Sequence, residues 1–135
     1  MRMNYEPLQF EYEALQGQRL ASISGFEPLH CSDGSTAYDN IVIALDRDLL
    51  MVSVNNDTDE IMLQTARLDK NHRINEKNNI KSLSKFIGKE LGWCWVGRNW
   101  LGYADTFTIS FEGLEPQIVL YCMASKLSIY RTQKL

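Results

Sequence analysis

Trp93, Trp95 and Trp100 fall within eight positions, with Arg98 and Asn99 between them and Tyr103 and Asp105 just after. Tryptophan combines a large apolar surface with one N–H donor, so such a cluster serves as a core anchor or as a recognition surface. Trp, Tyr and Arg are also the side chains enriched at binding hot spots. If residues 93–96 form a strand, Trp93 and Trp95 share one face and Cys94 takes the other. That geometry favours two of the rings as anchors holding a helix on a sheet. Asn99, Trp100 and Tyr103, bracketed by Gly97 and Gly102, then read as a turn presenting at least one aromatic to solvent. The bland alternative is a turn with both rings buried and with Asn99 and Asp105 only capping it.

Asp57, Asp59 and Glu60 crowd one turn, and Asp46 and Asp48 another. Pooled, they would suit a divalent cation. The turns sit at opposite ends of a strand over residues 49–55, about 20 Å apart at 3.3 Å per residue. The first turn is also too short for a calcium loop of about 12 residues. We expect no metal and no cofactor, and read these acids as turn solvation or as contacts to a basic partner.

Lys77, Lys81, Lys85 and Lys89 recur at steps of four. A lysine ribbon beside aromatics can bind a nucleic acid or another anion. The pI of 5.4 argues against nucleic acid, since such domains usually run basic. A solvated face is the bland reading. Histidine and cysteine offer less. His30 and Cys31 are adjacent, so an extended backbone points them apart, and His72 stands alone in a polar stretch. None of the common nucleophile, zinc or phosphate-loop motifs occurs. No catalytic residue is expected. A hydrolase-like site near Asn99, Tyr103 and Asp105 is kept as a second alternative.

The elements that must position these residues follow from periodicity. Alternating apolar positions predict strands over 40–46, 49–55, 60–66, 105–112, 117–124 and 127–131, with a further strand over 19–24. Ile80, Leu83, Ile87 and Leu91, widened by Phe86, predict an amphipathic helix over 79–91, with the lysines on its wet side and Gly92 ending it. Pro7 and Gly17 suit the two ends of a short N-terminal helix. Residues 69–79 read as a long polar loop. The expected fold is a single α+β domain over residues 1–135: a largely antiparallel meander of six to eight strands with the 79–91 helix packed on it.

Composition bounds the function. At 135 residues the chain can bury a core without disulfides, and three scattered cysteines make no disulfide framework. No apolar run suits a signal peptide or a membrane span, so a cytoplasmic protein that avoids membranes is expected. The net charge of −3 hides an acidic first half and a basic second half. Such polarity can orient a charged partner unless the halves interleave and cancel.

The chain also resembles a family of small uncharacterised bacterial cytoplasmic proteins, a domain of unknown function, from about residue 20 to 131. The residues that carry the likeness are Asp57-Thr58-Asp59-Glu60-Ile61, Gly88-Lys89, Trp93-Cys94-Trp95, Asn99, Gly102-Tyr103-Ala104-Asp105 and Ala124-Ser125. The resemblance implies a bacterial origin and transfers no catalytic residue. Small acidic bacterial domains of this look are often immunity proteins, which cover a toxin's active site. The leading expectation is therefore a non-enzymatic binding module, monomeric or a small homo-oligomer, whose Asp57, Asp59, Glu60, Arg98, Asn99, Trp100, Tyr103 and Asp105 meet a protein partner. The alternative is a nucleic-acid or small-anion binder using Lys81, Lys85 and Lys89 together with the aromatic loop.

Overall fold

The computed structural model describes residues 12–68, 76–133 and 135. Among these residues ten strands run β1 (Ser22–Phe26), β2 (Leu29–His30), β3 (Thr36–Ala37), β4 (Asn40–Ala44), β5 (Asp48–Asn55), β6 (Glu60–Arg67), β7 (Leu91–Arg98), β8 (Ala104–Phe111), β9 (Ile118–Met123) and β10 (Lys126–Arg131). They form two four-stranded antiparallel sheets, ordered β1-β4-β5-β6 and β10-β9-β8-β7, and a small β2–β3 hairpin. The alternation that predicted the meanders also assigns their faces. Ile41, Ile43, Leu50, Val52 and Ile61 from the first sheet meet Phe107, Ile109, Ile118, Leu120 and Leu127 from the second in one buried cluster. Each set recurs every second residue, so a single register places all of it inward.

The sheets are stitched together along two sides. Leu20 N donates to Lys89 O at 2.9 Å, and Leu91 N donates to Gln18 O at 2.8 Å. On the other side, Tyr38 and Leu127 exchange backbone hydrogen bonds of 2.9 and 2.7 Å. The Tyr38 ring lies directly on Gly25, where a Cβ would sit 2.3 Å from the ring. Buried Gln18 closes a third seam. Its Nε2 donates to Ala14 O and to Asp48 Oδ2, and its Oε1 accepts from Arg47 N.

The expected α+β class is overturned, because the protein is mostly antiparallel β and the 79–91 helix does not exist. Lys81–Phe86 is a 3-10 turn with no side-chain cap, and by Leu91 the chain is already in β7. Ile80, Leu83 and Phe86 fall at steps of three, which is the 3-10 repeat. Leu83 and Phe86 are buried, while Ile87 is 49% exposed. The ends of the segment are held by β1 and its lead-in, through Ile80 N on Ile23 O and Gly88 N on Leu20 O. The Gly88 N–H, committed to Leu20 O, is lost to an α-helical ladder through this segment. Gly88, at φ 86°, ends the turn. Gly92 instead sits within β7, where a Cβ would lie 2.0 Å from Gly113 O. Of the proposed N-terminal helix, residues 1–11 lie outside the described residues, and Tyr12–Ala14 is a short 3-10 turn. Most of the expected 69–79 loop also lies outside them; Glu76–Asn78 is a 3-10 turn.

Candidate functional site

Three hairpin turns meet at one end of the sandwich: residues 56–59 between β5 and β6, 99–103 between β7 and β8, and 124–125 between β9 and β10. Asp59 joins the first turn to the third. Its carboxylate accepts from Ser125 N at 2.6 Å, Ala124 N at 3.2 Å and the Cys122 thiol at 3.3 Å. Ala124 and Ser125 have φ of 51° and 63°, the paired left-handed residues of a two-residue hairpin turn. Asp59 itself stands at φ 58°, a conformation that Asp tolerates better than most residues. Glu60 joins the first turn to the second by accepting from Ala104 N at 3.3 Å.

Asn99 builds the second turn from within. Its Oδ1 accepts from Leu101 N at 3.0 Å and Tyr103 N at 3.1 Å. Asn99 N donates to Tyr103 O at 2.9 Å, and Arg98 Nη1 donates to Gly102 O at 2.9 Å. Gly102 takes φ 90°, which a larger side chain adopts only at a cost. The turn is therefore held by backbone and side-chain bonds at both flanks, and it carries Trp100 outward at 87% exposure beside Tyr103 at 40%. The reading of an exposed aromatic on a braced turn describes this loop; the fully buried alternative does not.

The expected helix-anchoring role of the tryptophans is not found. Trp93 and Trp95 share the outer face of β7 and Cys94 turns inward to pack on the core. Trp93 is 38% exposed and meets Tyr12 edge-on, with centroids 4.5 Å apart. The Tyr12 hydroxyl donates to Gly92 O.

The electrostatics of this end are acidic. Asp57 is exposed, and Glu27 and Asp39 close the same end where β1 stops and β4 begins. Their shared hydrogen bond holds the Glu27 carboxyl above its usual range. The same bond, with Lys126 beside it, holds Asp39 below its own. Asp105 continues β8 toward Cys122. Burial first, then the hydrogen bond and charge of Asp59 and the charge of Asp105, push that thiol up to about 12. Cys94 is also pushed up to about 12, by burial. Thiols held protonated are poor nucleophiles, and all three cysteines are free. No cluster of three metal-ligating side chains occurs among the described residues.

The structure thus gathers Asp57, Asp59, Glu60, Arg98, Asn99, Trp100, Tyr103 and Asp105, from two distant stretches of sequence, at one end. It does not bring Lys81, Lys85 and Lys89 there. Those lysines lie on the segment against Phe86, which stacks on Phe111 at the far end of β8. Eight strand residues separate the two ends, about 25 Å, so no small site combines the lysines with the aromatic loop. Sequence reasoning missed Glu27, Asp39 and Cys122 as members of this end. A signal existed only for the turn: Ala124-Ser125 between two apolar alternations marks a tight hairpin.

Fold and site together define a two-sheet antiparallel β protein with an acidic, aromatic-tipped end. Across residues 1–135 the chain matches the model of DUF6334, a family of unknown function, and it belongs to that family. No curated protein and no solved structure matches it. No helix among the described residues is long and apolar enough to cross a membrane.

Proposed function

We propose that this protein is a non-enzymatic binding module of the bacterial cytoplasm that docks a basic protein through its three-turn end. The observation that carries this reading is Trp100, 87% exposed on a turn braced by Asn99 within an acidic surface. A large apolar ring left in water has no stabilising role in the fold. A braced loop loses little entropy when a partner covers it. Carboxylates around an aromatic anchor steer a basic surface and set its orientation. In the sharper form of the reading the partner is a nuclease-like toxin, and the module neutralises it by occupying the basic cleft that holds nucleic acid.

The test is affinity capture from the native host with the wild type and with Trp100→Ala, Tyr103→Ala and Asp57→Asn. The expected outcome is one basic protein retained by the wild type, released by salt, and lost with Trp100→Ala while the melting temperature holds. A retained protein indifferent to all three substitutions would place the interface elsewhere. Nuclease activity of the captured partner, suppressed by wild type and restored with Trp100→Ala, would establish the sharper form.

A further inference from the structure

We infer that the cleft at the opposite end of the sandwich is a second binding site, a receptor for a small organic phosphate of roughly mononucleotide size. The cleft has a volume of about 510 Å³, and its lining includes Lys85, Phe86, Glu115, Pro116, Gln117, Arg131 and Thr132. That volume lies within the range of small-ligand sites, roughly 300–1,000 Å³.

Its lining carries two cations, Lys85 and Arg131, against one carboxylate, Glu115. Lys85 Nζ stands 5.1 Å from the centroid of the Phe86 ring, and Lys89 Nζ stands 6.0 Å from the same centroid. Arg131 lines the cleft beside Lys85. Among the described residues the salt bridges join Arg19 to Glu90 and Lys126 to Asp39, and none reaches these three cations. Like charges brought onto one ring repel, and an anion between them removes that repulsion. With Lys89 near the lining pair, the cations outnumber the Glu115 carboxylate and favour an anionic group. Arginine presents a fork to two phosphate oxygens, and lysine adds a point charge.

The walls are preformed. Gln117 Oε1 accepts from Phe111 N at 2.6 Å, Thr132 N donates to Gln117 O at 3.0 Å, and the Thr132 hydroxyl donates to Pro116 O. Phe86, stacked on Phe111 with centroids 5.3 Å apart, fixes the floor. Pro116 supplies apolar surface for the organic part, which a bare phosphate would leave uncovered.

Calorimetric titration of the full chain with adenosine monophosphate, adenosine and inorganic phosphate tests this. The monophosphate should bind about tenfold more tightly than either fragment, since each lacks one half of the recognition. Lys85→Gln and Arg131→Gln should each weaken it about tenfold, the scale of a lost charge-assisted contact. Both should melt with the wild type, so a folding defect cannot mimic the loss. Lys81→Gln, outside the cleft, and Trp100→Ala, at the other end, should bind as the wild type does. The inference is overturned if the monophosphate gives no heat at about 10 mM, a concentration at which even millimolar ligands saturate. It is equally overturned if the cleft variants bind unchanged, or if Lys81→Gln weakens binding as much as they do. Tighter binding of a single-stranded oligonucleotide that depends on Trp100 would replace it with a nucleic-acid surface.

Discussion

The two ends of the sandwich solve opposite problems with similar parts. At the three-turn end, charged side chains are consumed in holding loops: Asp59 satisfies the 124–125 turn, Glu60 holds Ala104 N, and Arg98 holds Gly102 O. What remain exposed there are the Asp57 side chain and the Trp100 ring, which the turn's hydrogen bonds do not use. At the cleft end the aromatic ring is the foundation, since Phe86 is buried on Phe111, and the lysines over it have no salt-bridge partner among the described residues. An exposed residue at the first end is thus separable from stability. At the second end, the floor of the candidate site and the core are the same atoms.

The largest effect should come from breaking that floor. Phe86→Ala removes a buried ring shared by core and cleft, and should cost about 3–5 kcal/mol in denaturant melts. A cost below about 1 kcal/mol would show that the cleft rests on something else.

Next is the staple at the other end. Asp59→Ala orphans Ala124 N and Ser125 N, and should cost about 2 kcal/mol. It should also speed amide exchange at both residues, because the turn loses its closure. Unchanged exchange would mean that the turn stands without Asp59.

Trp100→Ala should change stability by no more than about 0.5 kcal/mol, as for other exposed substitutions. An early melt would collapse the contrast between the ends, because the ring would then be structural.

The smallest effect at neutral pH belongs to the thiols. At pH 8, Cys31 should be alkylated well before Cys94 and Cys122, whose burial and raised pKa withhold the thiolate. The folded-state pKa is above the unfolded one, so this contribution to stability is intact below pH 9. It is lost as the pH climbs from 9 toward about 12, where only the unfolded chain ionises at first. Peptide mapping after brief alkylation reads the first effect, and melts across that pH range read the second.

Much of this architecture was legible in the residues. Strands β4, β5, β6, β8, β9 and β10 lie within a residue or two of the alternations that predict them, because a half-buried strand writes its burial with a period of two. The braced turn was legible as well, from Asn99 between Gly97 and Gly102. The 79–91 segment was misread, because Ile80, Leu83, Ile87 and Leu91 mimic an α-helical stripe. The spacing Ile80-Leu83-Phe86 fits a 3-10 turn equally well, and sequence carries no record of which backbone donors another strand has claimed.

By itself, then, the sequence determined the identity and inward faces of most strands, the chemistry of the turns and the lack of a common catalytic motif, since these depend on neighbours a few residues apart. Only the tertiary structure decided that one sheet would become two, that 79–91 would bind β1 and its lead-in rather than coil on itself, and that Asp59 would close a turn beyond residue 120. It alone set the aromatic loop and the lysines at opposite ends. Those outcomes depend on pairings between residues tens of positions apart, whose free energy no local pattern contains.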